Sequence, residues 1–241
     1  MLLYGRNVVR EIIKSGERKI YEIFVYKGGA DDVQDVIEYA RDKNVKITFV
    51  DKEFLFKKFR TDKHQGIAIN VEGNKSYTLK EFFEKYKDDE KTSVCILDSI
   101  QDPRNFGAII RNCEVFGING IIFSPNNSCD ITDTVYKASS GALIYVDIVK
   151  VSNINNAIKE LKENNFWIYG FDVKGNVFLD EVKFDRKSAV VFGSEGSGMK
   201  ELVKKNCDFL VKIRQKGKID SLNVSNAVAV AAYELMRQNI K

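Results

Sequence analysis

Residues 92–123 read TSVCILDSIQDPRNFGAIIRNCEVFGINGIIF, and this stretch decides the fold. Positions 94–97 (VCIL) and 120–123 (GIIF) are short apolar runs with the length and character of strands buried on both faces. The segment between them carries Pro103, a residue suited to the approach to a helix, and then a helical pattern. Working outward, further apolar runs follow at 143–149, 166–171, 189–192 and 209–213, with helical patterns between most of them. The clearest helix spans 153–164, capped by Ser152 and stopped by Asn164 and Asn165; the last spans 224–238. This alternation predicts an α/β domain with a mostly parallel sheet covered on both faces, which binds ligands at the carboxyl ends of its strands.

Upstream, the elements are shorter. A helix is predicted over 7–14, ending at Gly16, then a strand over 20–26 and an amphipathic helix over 31–42 with Asp31 and Asp32 in its first turn. Two more strands, 46–50 and 66–71, complete a compact α/β unit. The charged stretch EGNKSYTLKEFFEKYKDDEK (72–91) reads as a linker holding one short amphipathic helix, 79–87. The expected organisation is a small domain over 1–72, a linker over 73–91 and a large domain over 92–241.

Composition narrows the class. Of 241 residues, 44% are apolar and 30% charged, which suits a soluble globular chain and excludes disorder. The net charge of +4 is compatible with RNA binding without arguing for it. Arg6, Arg10 and Glu11 interrupt the N-terminal MLLYGRNVVREII, so it lacks the apolar core of a signal peptide, and no segment is apolar for long enough to span a membrane. Cys95, Cys113, Cys129 and Cys207 are too irregularly spaced for a zinc site, and His64 is the single histidine. Reduced thiols in a cytoplasmic protein, with no metal, are expected.

Three islands rich in Gly, Asn and Ser stand where ligands should bind: DPRNFGAIIRNCEVFGI (102–118), VFGSEGSGM (191–199) and IDSLNVSNAVAVAAYE (219–234). Taken alone, each has a plain structural reading. Asn105 and Arg111 read as a cap and a solvated arginine, 193–198 as a glycine-rich turn, and Ser221 and Asn223 as helix caps. In the second island Gly193 and Gly198 have P-loop spacing, but Met199 stands where the lysine must follow, so phosphate cradling of that kind is excluded. No strand leads into a dinucleotide fingerprint either.

Together and in this order, the islands resemble the motifs of the SpoU/TrmH branch of the SPOUT RNA methyltransferases. NFGAIIR resembles the first motif, VFGSEGSGM the second and SLNVSNAVAVAAYE the third, and the likeness covers most of 92–241. The first seventy residues, with LYGRNVV near the start and HQGIAI near the end, resemble the ribosomal-protein-like substrate-binding domain of many members, especially the 23S rRNA guanosine-2′-O-methyltransferases. The resemblance implies methyl transfer from S-adenosylmethionine to a ribose 2′-hydroxyl of RNA, on a sheet whose C-terminal part is threaded through a trefoil knot. It also implies a homodimer. By matching positions, the cofactor would be held around Gly193, Ile213 and Leu222, with Glu195, Ser221 and Asn223 completing the site.

The residue types suit that chemistry. Methyl transfer needs an in-line approach, so positioning supplies much of the rate, and Asn105, Ser221 and Asn223 offer neutral hydrogen bonds for it. Arg111 matches the family arginine assigned as general base, but a guanidinium is a donor only, so we expect it to bind the adjacent phosphate and stabilise the developing alkoxide. His64 reads as a turn residue or an RNA contact. Arg6, Arg10, Lys57, Lys58, Arg60 and Lys63 are candidate phosphate contacts, with Phe54, Phe56 and Phe59 expected in the core; Lys212, Arg214, Lys216 and Lys218 form a second basic strip. Two other readings stay open: a tRNA or other rRNA ribose methyltransferase, including the antibiotic-resistance type, and a catalytically silent RNA-binding paralogue.

Overall fold

The computed structural model describes residues 1–219 and 221–239; Asp220 of the third island and the final Ile240 and Lys241 of the expected 92–241 domain lie outside the described residues. The chain begins with β1 (Leu2–Tyr4), α1 (Arg6–Ser15), β2 (Ile20–Tyr26), α2 (Gln34–Asp42), β3 (Ile47–Val50), α3 (Lys52–Phe59) and β4 (Ile67–Val71). Their strands form a mixed sheet in the order β1-β4-β2-β3. Strand alternation divides its side chains: Ile23, Val25, Ile67 and Ile69 pack beneath α1 and α2, while Phe24 and Ala68 meet Leu55 of α3. Arg6 and Arg10 close this unit rather than leaving it charged, pairing with Asp32 at 2.6 Å and Asp35 at 2.7 Å.

Next come β5 (Ser76–Tyr77), α4 (Leu79–Lys85), β6 (Thr92–Asp98), α5 (Pro103–Val115), β7 (Gly120–Phe123), α6 (Asp133–Ala138), β8 (Asp147–Lys150) and α7 (Ile154–Glu163). β9 (Trp167–Phe171), β10 (Val177–Phe178), β11 (Lys187–Gly193), α8 (Glu201–Asn206), β12 (Phe209–Lys212) and α9 (Val224–Asn239) complete the chain. Eight strands form one sheet in the order β10-β12-β9-β11-β6-β7-β8-β5, and every recorded pairing in it is parallel. All seven residues of β6 are buried, as expected for a strand covered on both faces. Cys95 and Leu97 face the core under α5, α6 and α9, while Val94 and Ile96 face the one under α4, α7 and α8. The fold is thus the α/β, parallel, doubly covered architecture that the strand rhythm predicts.

Several details differ from the sequence reading. The stretch 73–91 is built into the large unit: β5 pairs with β8, Phe82 is fully buried, and Lys85 and Tyr86 reach the Asp147 carboxylate at 2.7 and 2.8 Å. The apolar run at 143–149 is a strand only from Asp147; Gly141, at φ +95°, turns the preceding Ala142–Ile144 into a 3-10 turn against α5. Helix α7 is capped by Asn153, whose side chain accepts from the Asn155 and Asn156 amides, and not by Ser152. Phe54 and Phe56 are exposed, because α3 turns Leu55 inward and leaves its flanking residues outside; Phe59 packs against Tyr4.

Helix α5 crosses α6 with no space to spare. A Cβ on Gly107 would lie 2.3 Å from the Ala138 Cβ and 2.8 Å from the Val135 carbonyl oxygen. Gly107→Ala is therefore expected to lose about 1–3 kcal/mol in chemical denaturation through overpacking. Gly73→Ala, which meets nothing within 4 Å, serves as the control and should shift stability by less than about 0.5 kcal/mol.

At the end of β9, the Asp172 carboxylate is paired with Lys204 of α8 at 2.8 Å. Burial pushes its pKa up, but the hydrogen bonds from Lys204 and the Lys174 amide outweigh that, and the net shift is downward. A depressed folded pKa gives stability that is complete above the unfolded value of about 3.9 and lost as pH falls through the lower folded value. Thermal melts between pH 6 and pH 2 should accordingly show a weaker acid dependence in Asp172→Asn than in the wild type.

Candidate active site

The chain reverses direction across the sheet between β6 and β11: β7 and β8 lie on one side of this pair, β9 and β12 on the other. Such a switch point opens a crevice at the carboxyl ends of the strands. The crevice is filled from three directions by the three islands. The first enters as α5, with Asp102 as N-cap accepting from the Arg104 amide at 2.8 Å and Pro103 in the first turn. The second leaves β11 as a tight turn, closed by reciprocal backbone hydrogen bonds between Ser194 and Gly198. The third is the entry to α9.

Three side chains, one from each island, meet there. Asn105 Nδ2 donates to Glu195 Oε1 at 2.8 Å, Asn223 Nδ2 donates to Asn105 Oδ1 at 3.1 Å, and Asn223 Nδ2 also donates to the same Glu195 oxygen. Asn223 Oδ1 meanwhile accepts from the Ser225 amide at 2.9 Å and the Ser225 hydroxyl at 2.6 Å. The cap expected of Asn223 and its role in the cluster are therefore both made by one side chain, from its two ends.

Beside this cluster lies an open cavity of about 670 Å³. Gly193, Glu195, Ile213, Ser221 and Leu222, all singled out from the sequence, line it. Phe171 and Phe192, stacked at 4.6 Å between ring centres, and Phe178 add aromatic walls. At Gly193 the returning chain passes so close that a Cβ would sit 2.0 Å from Gly198 C and Met199 N, which leaves room for glycine alone. The turn's far end is pinned by Asp98, the buried carboxylate ending β6, whose Oδ2 accepts from the Lys200 amide at 2.8 Å. The sequence reading missed Asp98, although an acid closing an otherwise apolar strand was its visible signal.

Arg111 stands apart from the cluster. Six residues on from Asn105 it points about 240° around the helix, so the two cannot share a face. It is exposed, and its Nη1 lies 3.4 Å from Ser140 Oγ in the turn after α6. The basic strip near the third island is partly committed elsewhere. Arg214 stacks 3.6 Å over the Phe178 ring and pairs with Asp180 and Glu181, and Lys212 lies over the same ring; Lys216 and Lys218 remain exposed. In the small domain, His64 is buried in a turn, its Nδ1 accepting from the Gly66 amide, and desolvation lowers its pKa. The four thiols are unpaired, with Cys95 and Cys113 fully buried.

Comparison with known proteins gives two family matches. Residues 92–233 match the SpoU rRNA methylase family, and residues 2–77 match the RNA 2′-O ribose methyltransferase substrate-binding family. A tRNA/rRNA methyltransferase of Borreliella burgdorferi, itself named as uncharacterized, is 37% identical over 223 residues, covering 89% of this chain and 97% of that protein. The SpoU methyltransferase AviRb of Streptomyces viridochromogenes, solved in complex with AdoMet, superposes with a TM-score of 0.79 at 19% identity, over 100% of this chain and 91% of that one. A structure titled as an RNA 2′-O ribose methyltransferase gives a TM-score of 0.83 at 20% identity, over 100% and 89%. The structural likenesses establish a shared fold, and the sequence matches establish descent: this chain belongs to the SpoU rRNA methylase family.

Proposed function

We propose that this chain transfers a methyl group from S-adenosylmethionine to a ribose 2′-hydroxyl of RNA, with a guanosine of 23S rRNA as the target, in the cytoplasm and as a homodimer. The observation that carries the reading is the Asn105, Glu195 and Asn223 cluster at the edge of a cavity of about 670 Å³. That volume lies within the range of cofactor sites, and the lining joins aromatic and aliphatic surface to a backbone turn that only glycine permits. The residues fit S-adenosylmethionine, held by the 193–198 turn, Ile213, Ser221 and Leu222. When bound, the cofactor supplies an electrophilic methyl group on a cationic sulfur. The two asparagine amides donate to Glu195 Oε1 and so fix the orientation of its carboxylate at the edge of the cavity.

Arg111 is assigned the substrate side. A guanidinium at this exposed position binds the phosphate next to the target ribose and stabilises the oxygen as its proton departs to that phosphate or to water. Lys216 and Lys218 extend the phosphate track. The dimer reading is supported by exposed Val230 and Tyr233 on α9 and Val115 at the end of α5. The trefoil threading belongs to the same proposal, supported by the tight passage of residues 198–199 over Gly193 and by the return of α9 onto α5. A silent paralogue would not need the complete hydrogen-bonded cluster. A tRNA target or another rRNA site, including one of the antibiotic-resistance type, is the remaining competitor, and the tRNA/rRNA name of the Borreliella relative covers both kinds of RNA.

The direct test maps 2′-O-methylation across ribosomal and transfer RNA with and without this gene, alongside calorimetric titration with S-adenosylmethionine. One 23S guanosine is expected to lose its mark; a lost tRNA mark would replace the rRNA target, and no cofactor binding would overturn the enzyme reading. Gly193→Ala, which must displace the turn, should abolish the calorimetric signal. Arg111→Lys should lower kcat about a hundredfold with cofactor affinity unchanged, the scale of losing one transition-state donor. Near-wild-type turnover would exclude the planar, two-pronged phosphate contact.

A further inference from the structure

The turn that touches Arg111 is the turn on which the small domain rests. On its outer side, Gly141 lies so close to α1 that a Cβ there would be 2.7 Å from Glu11 Cβ, and Tyr145 donates its hydroxyl to Glu11 Oε2 at 2.8 Å. Lys137 of α6 donates to the Lys63 carbonyl at 2.8 Å, and Arg18 donates to the Tyr136 hydroxyl at 3.0 Å. Val8, Val9 and Ile12 of α1 belong to the same continuous core as Ala142, Leu143 and Ile144. On its inner side the turn is fastened to α5 through the Gly107 crossing. Between these fixed walls Ser140 is held in the left-handed region at φ +53°, with its Oγ toward Arg111 Nη1.

A serine in that conformation is uncommon and persists where its surroundings over-determine it. Here the surroundings are α1 on one side and α5 on the other, so a shift of the small domain must move Ser140. We propose that residues 139–145 are a positioning bridge, through which the docked small domain sets the place of Arg111 by way of Ser140. The proposal rests on the methyltransferase reading given above, and it makes Glu11, Ser140 and Tyr145 positioning residues without contact to the reacting atoms. RNA gripped by the small domain would thereby tighten or align the arginine, so that a substrate bound by both domains is methylated faster than one bound by the large domain alone. The Tyr145 phenol is well suited to its part: burial and the Glu11 carboxylate push its pKa up to about 12, so it remains a donor throughout the neutral range.

The test uses the full chain. Ser140→Ala keeps the Cβ and the left-handed strain but loses the hydroxyl; Tyr145→Phe and Glu11→Ala break the outer contact, and Glu11→Gln preserves an acceptor for it. We expect Ser140→Ala to lower kcat about tenfold and Tyr145→Phe about threefold, while the KM for RNA and S-adenosylmethionine affinity stay within twofold, as for misplacement of a catalytic group. The double variant should be no slower than Ser140→Ala, and Glu11→Gln should recover most of what Glu11→Ala loses. Additive losses, or losses confined to the KM for RNA, overturn the bridge. A second readout needs no turnover: ¹⁵N relaxation of the Arg111 Nε–H group should show greater mobility in Tyr145→Phe than in the wild type. An unchanged Arg111 overturns the bridge, whereas a loosened Arg111 in a protein that methylates no RNA supports the bridge and overturns the methyltransferase reading instead.

Discussion

One carboxylate oxygen, Glu195 Oε1, accepts from two asparagine amides whose residues lie 90 positions before it and 28 after it. Nothing local could assemble that arrangement. The orientation of each amide is also forced. Asn223 must turn its carbonyl to the Ser225 amide that it caps, which leaves only its NH₂ for Glu195; Asn105 must then offer NH₂ to the carboxylate and oxygen to Asn223. The cluster has one consistent pattern of donors and acceptors, and the start of α9, the turn after β11 and the first turn of α5 must all be in place for it to form.

The rest of the fold serves that convergence. The reversal of strand order between β6 and β11 opens the crevice, and the buried Asp98 ties the end of β6 to the amide of Lys200 beyond the turn. Helix α5 is pinned on both flanks, by the glycine crossing with α6 and by Asn112, which donates to the Ser225 carbonyl of α9 at 2.8 Å. Glycine thus appears where chain meets chain: at Gly107 helix lies on helix, and at Gly193 strand lies beneath returning loop. In both places a single methyl group would force the backbone apart.

Much of this is legible in the sequence because it is repeated there. Buried parallel strands write themselves as apolar runs, so β6, β7, β9 and β11 stand out, and the second and third islands carry Gly193, Glu195, Ser221 and Leu222, which line the cavity. What escapes notice is what depends on distant partners. The two-residue strands β5 and β10 have no pattern of their own and exist because an edge was available. Phe54 and Phe56 look like core by composition, yet the helix turns Leu55 inward. Asn105 and Arg111 share a motif but not a helix face, and their separation follows from the 3.6-residue period only once the helix is known to begin at Pro103.

The pairing of β6 with β11 has a consequence for how the protein is made. Thr92 lies beside Lys187, so the central strand of the sheet waits for a neighbour some 95 residues further along the chain. On a translating ribosome that interval lasts roughly 5–20 s, during which β6, paired with β7 on one side, offers on the other an apolar edge that only β11 will close. The switch-point side of β6 therefore stays open until β11 has been made, and for that time the nascent chain carries an aggregation-prone edge in need of shelter.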